Sequence, residues 1–227
     1  MAVALKLLSS MAPREMLSAA IALYGESHAT PIQAEAAGGV DVAHRVAAGE
    51  AIDVVVLSSD AIDKLIAGGH LTATSRSDLM DSEIAVAVPA GAPHPSLADE
   101  AAVRRAVAAA GAVSYSTGPS GRHLEKLFER WGIRESLRSR IVVPPPGVPV
   151  ARLVASGKVQ LGFQQRSELL GVPGIEVLAP LPAGVQQVTT FTGAIAVAAQ
   201  GSQSPVYYEF MPTGEAANRR VDIFLDR

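Results

Sequence analysis

Val113-Ser114-Tyr115-Ser116-Thr117-Gly118-Pro119-Ser120-Gly121-Arg122-His123, continued to Trp131, is the stretch around which the chain is organised. It reads as a buried strand, a hydroxyl- and glycine-rich turn, and an amphipathic helix. Leu124, Leu127, Phe128 and Trp131 fall at i, i+3, i+4 and i+7, so they share one helical face. Ser120 is the expected N-cap, and Gly118 and Gly121 let the backbone come close to a ligand. The N–H groups of the first helical turn, added to the helix dipole, form an anion site. The plain alternative is a capped strand-to-helix turn that binds nothing.

Repetition favours the site. Val3–Leu8 is an apolar strand ending in Ser9-Ser10, and a helix follows from Pro13 to about Tyr24. Asp53–Leu57 is another, ending in Ser58-Ser59, with a helix from Asp60 to about Ala67. Three strand ends therefore carry serines ahead of a helix. In open α/β sheets ligands bind at the carboxyl ends of parallel strands. Hydroxyls and backbone N–H groups gathered there suit an oxyanion.

Composition narrows the class. Of 227 residues, 48% are hydrophobic and 18% charged, which is globular and core-rich. A net charge of -3, with no basic run, argues against a nucleic-acid partner. With no cysteine in the chain, disulfides, thiolate metal sites and cysteine catalysis are excluded. No apolar run approaches the ~20 residues of a membrane helix. Met1 reads as leading straight into the first strand, so no signal peptide is expected within the numbered residues. The expected location is periplasmic if a leader was removed and cytoplasmic otherwise.

Read in order, the first helix points Leu17, Ala20, Ile21 and Tyr24 inward. Residues 31–36 alternate as a second strand. Gly38-Gly39 opens a helix running to Ala48, which Gly49 closes. After the third strand and helix, residues 70–82 read as polar and irregular. Ser82–Pro89 reads as one long alternating strand that crosses between lobes. From Pro95 the pattern restarts with a helix at 98–109, the central strand and helix, and a strand at Ile141–Val143. Pro144–Gly147 is a stiff connector. A helix at 148–156 and the strand Val159–Phe163 follow, the latter ending in Gln164-Gln165. Residues 164–170 read as helical, Ile175–Leu178 as a strand, and Val188–Ala198 as the return crossover. The expected fold class is therefore α/β, a two-lobe clamshell with two interlobe crossover strands. Lobe 1 is 1–85 plus 188–227, lobe 2 is 86–187, and the cleft between them is the ligand site.

These residues resemble the molybdate-type branch of the periplasmic binding proteins, with the type II Venus-flytrap fold. The resembling stretches are Lys6–Ala12, Arg45–Gly69, Tyr115–Gly132 and Val159–Leu169. The Gly39-Val40-Asp41 turn, the Ser116–Gly121 loop and Gly162-Phe163-Gln164-Gln165 are similar to a subgroup that includes aconitate isomerase. The resemblance implies an oxyanion held by serine hydroxyls and backbone N–H groups. Carried over by position, this implies binding residues Ser9, Ser10, Met11, Ser58, Ser59, Ser116, Gly118, Ser120, Gly121 and Arg122, with Gln164 and Gln165. It implies a small anionic ligand, a membrane transporter as partner if the chain is a receptor, and a monomer. Proteins of this type usually end in an apolar helix. Here Pro205, Pro212 and Gly214 interrupt the tail, and Val206–Phe210 reads as a strand.

The chemistry leaves two readings open. Arg14, Arg122 and Arg166 lie near strand ends, and a guanidinium there would clamp a carboxylate with two hydrogen bonds. A compact molybdate needs only neutral donors, so Arg122 favours an organic polycarboxylate. Isomerisation of an unsaturated polycarboxylate needs a base for an allylic proton and an acid that returns one. His123 and Tyr115 are the catalytic candidates, with Asp60 and Glu125 the nearest carboxylates and Asp60 the more natural N-cap. His28, His44, His70 and His94 lack metal-ligand spacing, so no metal is expected. Without a Walker loop or a dinucleotide fingerprint, no cofactor is expected either. The favoured expectation is a solute-binding-protein-like binder of a small oxyanion or organic polycarboxylate. The alternative is a cofactor-independent isomerase of unsaturated polycarboxylates.

Overall fold

Apolar strand residues in each half of the chain seed a separate sheet. The structure, a computed structural model, describes residues 4–145 and 148–197. It divides into two compact units. The first runs to Met80 and resumes at Thr190, and the second is Asp81–Thr189. The expected strand at Val206–Phe210, and the ends of the expected elements at Val3, Pro146-Gly147 and Ala198, lie outside the described residues.

In the first unit, β1 (Leu5–Ser10), β2 (Ile32–Ala37) and β3 (Val54–Ser58) run parallel. Each hands the chain to a helix: α1 (Arg14–Ser27), α2 (Gly39–Ala47) and α3 (Ser59–Ala67). β4 (Ser77–Ser82) and β9 (Thr189–Ile195) complete the sheet in the order β2-β1-β3-β9-β4, with β9 antiparallel to β3. Leu8, Val55 and Leu57 pack against Val42 and Val46 of α2 and Ile62 and Leu65 of α3. Leu7, Val54 and Val56 face the other way, against Leu17 of α1. Gly49 adopts φ 80°, the left-handed conformation that ends α2 at little cost to glycine.

β4 corrects the expectation of irregular chain over 70–82. Ser77-Asp78-Leu79-Met80-Asp81-Ser82 carries no apolar alternation, so sequence periodicity misses it. It forms because it lies at a sheet edge, where one face stays solvated. The expected single strand over Ser82–Pro89 is likewise two elements. β4 ends at Ser82 and β5 (Ile84–Pro89) belongs to the other sheet.

The second sheet has the order β6-β7-β5-β8, from β6 (Val113–Tyr115), β7 (Leu161–Gln165), β5 and β8 (Ile175–Pro180). β6 and β7 are parallel, and β5 is antiparallel to β7 and β8. One face carries α4 (Glu100–Ala109), α5 (Pro119–Arg130) and α6 (Arg134–Leu137). There Ile84, Val86 and Val88 meet Val103, Leu124, Phe128 and Leu137. The other face carries α7 (Val150–Ala155) and α8 (Arg166–Leu169), with Ala85 and Ala87 against Val150, Val154 and Leu169. The alternation in Ile84-Ala85-Val86-Ala87-Val88 is thus one of size rather than polarity, because both faces are buried. Small residues let α7 lie close, and a Cβ on Gly162 would meet Val154 Cγ2 at 2.4 Å.

The expected strand at Ile141–Val143 reduces to one bridge, Val113 to Ile141, with Val142 N–H donating to Val113 O. Val143 is exposed, so nothing extends the pairing. The glutamine pair after the expected Val159–Phe163 strand lies within β7 itself.

Phe128 is fully buried, with Tyr115 edge-on at 5.8 Å and Trp131 at 5.9 Å. Phe128→Ala should destabilise the chain by about 3–5 kcal/mol. Urea unfolding followed by Trp131 fluorescence will measure it.

Candidate functional site

Most buried polar side chains lie where strands end, while Ser114 and Thr192, inside β6 and β9, are buried with partners of their own in Val142 O and Asp78. In the first unit, Ser9, Ser10 and Ser58 are buried at the carboxyl ends of β1 and β3, and the first turns of α1, α2 and α3 follow directly. None of these three helices has a side-chain cap hydrogen bond. Pro13, Gly38 and Ser58 are the N-caps, so Asp60 lies within the first turn of α3 rather than capping it. Ser10 Oγ is buried, with the residue 8% exposed, and has no hydrogen-bond partner among the described residues. A Cβ on Gly39, at the start of α2, would stand 3.6 Å from Ser10 Cβ and 3.8 Å from Leu57 Cδ2. Met11 is half-buried, and its carbonyl accepts from Arg14 N–H at 3.2 Å.

Ser59 is engaged differently. Its Oγ lies 3.1 Å from Thr190 O and 2.7 Å from Thr192 Oγ1, and Thr192 Oγ1 donates to Asp78 Oδ1 at 2.6 Å. Asp78 also accepts from Arg76, which bridges to Asp63 of α3. Sequence reasoning missed Thr192 and Asp78. The signal for Thr192 was the hydroxyl-rich run Thr189-Thr190-Phe191-Thr192, read only as a strand, while Asp78 lay in the stretch read as irregular.

In the second unit the strand–turn–helix forms as expected, but its cap differs. The helix starts at Pro119 with Gly118 as N-cap, and Ser120 sits inside the first turn. Proline has no N–H to lose at that position and its φ is already helical, so it draws the start upstream. Ser120, 1% exposed, pairs its Oγ with Ser116 Oγ at 2.8 Å, and Gly118 N–H donates to Ser116 Oγ at 3.3 Å. The two hydroxyls hold two protons and use one between them, so one remains for an outside acceptor. Gly121 is obligatory, because a Cβ there would sit 1.6 Å from Ser116 O.

The two glutamines separate by strand alternation. Gln164 is tied on both sides, its amide donating to Glu168 and its Oε1 accepting from Ala151 N–H. Gln165 is 2% exposed, donates to Thr189 Oγ1 at 2.8 Å, and leaves Oε1 without a partner among the described residues. Arg14 pairs with Glu15 and Arg166 with Glu83. Arg122 lies on the first turn of α5 with its surface exposed, and it too has an interaction partner. His123 Nε2 is 2.8 Å from Val185 O. A carbonyl only accepts, so Nε2 carries a proton and the neutral ring keeps its lone pair on Nδ1. Tyr115 donates to Glu125 Oε1 at 3.4 Å.

Comparison with known proteins yields three kinds of match. The family model described as bacterial extracellular solute-binding protein matches residues 5–219. A Pseudomonas protein named aconitate isomerase is 39% identical over 185 residues, covering 80% of this chain and 70% of that protein. Among solved structures, the periplasmic molybdate-binding protein of Azotobacter vinelandii superposes with a TM-score of 0.74 at 18% identity, over 91% of this chain and 90% of that one. The substrate-binding domain of a putative molybdenum transporter from Clostridium difficile gives 0.67 at 12%, over 92% and 90%. At such identities the structures establish the two-lobe periplasmic-binding-protein-like fold.

Burial, then the neighbouring Glu125, pushes the Tyr115 phenol above the ordinary tyrosine range near 10. Its raised folded-state value means the contribution to stability is present below the unfolded pKa and is lost as pH rises through the folded one. Stability should therefore fall as the medium passes into the range above about 10, and Tyr115→Phe should flatten that fall. Urea midpoints across an alkaline pH series will show it.

Proposed function

The chain belongs to the bacterial extracellular solute-binding protein family, and we propose that its solute is a small organic polycarboxylate. The observation that carries this reading is the Ser10 hydroxyl, buried and without a partner among the described residues, at a strand end followed by uncapped helix starts. A buried hydroxyl with no partner costs about 1–3 kcal/mol, which an accepting ligand oxygen recovers. The spare proton of the Ser116–Ser120 pair is a donor of the same kind in the second unit. The 39% identity to a protein named for aconitate supports a polycarboxylate over a compact tetrahedral ion. Arg122, exposed beside the loop, supplies a guanidinium for a carboxylate. Family membership supports a place outside the cytoplasmic membrane and a transporter as the solute's next partner.

The same identity also supports a second reading, an isomerase of unsaturated polycarboxylates. In it, the Nδ1 lone pair of His123 takes the allylic proton and the Tyr115 hydroxyl returns one to the other carbon. The hydrogen bond to Val185 O supports the first role by leaving that lone pair uncommitted in the neutral ring.

A thermal-shift panel tests the binding reading. Citrate, tricarballylate, cis-aconitate and trans-aconitate should raise the melting temperature. A ligand at a hundredfold its Kd adds about 2.7 kcal/mol. Molybdate and sulfate should leave it unchanged, and Ser120→Ala should weaken the response by about 1–3 kcal/mol. A chain that responds to none of the acids would not be a polycarboxylate binder.

For the second reading, trans-aconitate is incubated with the protein in deuterated water and followed by proton NMR. Conversion to the cis form with deuterium uptake, abolished in His123→Ala while binding persists, makes the chain an isomerase. Binding with no conversion over hours leaves it a receptor.

A further inference from the structure

Ser59 is a serine at a strand end, like Ser10 and Ser120, but its proton has a different fate. Thr192 is fully buried, and its Oγ1 is 2.6 Å from Asp78 Oδ1. An ionised carboxylate has no proton to give, so Thr192 must spend its only proton on Asp78. Asp78 is held in place by Arg76, whose Nη1 is 3.0 Å away and whose Nε reaches Asp63 at 2.8 Å. Thr192 Oγ1 can then only accept at its 2.7 Å contact with Ser59. The other neighbour of Ser59 Oγ is the carbonyl of Thr190 at 3.1 Å, which also only accepts. Whichever oxygen takes it, the single proton of Ser59 points back into its own unit. Only lone pairs remain for an outside group.

From this proton count we infer that Ser59 is a specificity-determining acceptor, and that the preferred solute is a hydroxy-substituted polycarboxylate whose hydroxyl donates to Ser59 Oγ. The assignment rests on the polycarboxylate reading above and deepens it. A bare carboxylate oxygen placed against Ser59 Oγ would set lone pairs against lone pairs, whereas a ligand hydroxyl would complete the chain ligand–Ser59–Thr192–Asp78. The proton count gives the strand ends opposite polarities. The unpartnered hydroxyl of Ser10, in the same unit, serves a carboxylate oxygen. Ser59, half-buried at the first residue of α3, serves a donor.

Citrate and tricarballylate differ by one hydroxyl and are both trianions in mildly alkaline buffer, so they isolate this contact. Isothermal titration in metal-free buffer should show the full chain binding citrate about tenfold more tightly than tricarballylate, the size of one well-placed hydrogen bond. In Ser59→Ala the affinity for citrate should fall by about that factor while tricarballylate is unchanged or tighter, so the ratio approaches one. Ser59→Thr, which keeps the hydroxyl, should restore the preference. A general loss of structure would weaken both acids together and leave the ratio alone. Equal loss of both acids in a Ser59→Ala chain whose urea unfolding midpoint matches the wild type, which excludes that loss of structure, would mean that Ser59 donates to a carboxylate and would overturn the assignment. So would a wild-type chain that binds both acids with no preference for citrate, and in that case the polycarboxylate reading would stand. Binding of neither acid would remove both.

Discussion

Strands buried on both faces admit a polar side chain in mid-strand only where a hydrogen-bond partner meets it, as Val142 O meets Ser114 and Asp78 meets Thr192, and otherwise leave it the strand ends. β3 and β7 are buried at every residue, and β5 at every residue but its terminal proline. Along such strands a polar side chain would lose its hydration with no water to recover it. Ser9-Ser10, Ser58-Ser59 and Gln164-Gln165 accordingly fall where β1, β3 and β7 end and the next element begins. In a parallel arrangement that next element is a helix, whose first N–H groups lack intrahelical partners. The same constraint that builds the two cores therefore gathers hydroxyls, amides and free N–H groups at the same strand ends.

The chemistry open to those groups depends on how their protons are shared. A serine hydroxyl has one proton and two lone pairs, and its neighbours decide which face outward. Ser116 and Ser120 hold each other and keep one proton to spare. Ser10 is buried without a partner among the described residues. Ser59 gives its proton to β9. These serines look alike in sequence, yet the structure gives them three different roles. The glutamines divide in the same way, with Gln164 spent on α7 and α8 and Gln165 left with an open carbonyl oxygen.

The elements misread from sequence share a cause. β4 has little apolar patterning because it lies at a sheet edge, and it is held there by pairing rather than by burial. Ile141–Val143 is apolar enough for a strand, but only one residue finds a partner. The cap of α5 moved from Ser120 to Gly118 because Pro119 fits the first helical position, where its missing N–H costs nothing. In each case local composition was a fair guide to propensity and a poor one to which neighbour was available.

The sequence by itself determined the α/β class, the restart of the pattern in the second half, the serine-bearing strand ends and the amphipathic face of α5. Each of these comes from periodicity and turn chemistry over a few residues. Only the tertiary structure decided that Ser82 and Ile84 belong to different sheets, that β5 alternates in size with both faces buried, and which way each hydroxyl points. The reason is separation along the chain. Ser59 meets Thr192 across 133 residues and Thr192 meets Asp78 across 114. No local pattern encodes a proton's direction when the groups that set it arrive from the far end of the sequence.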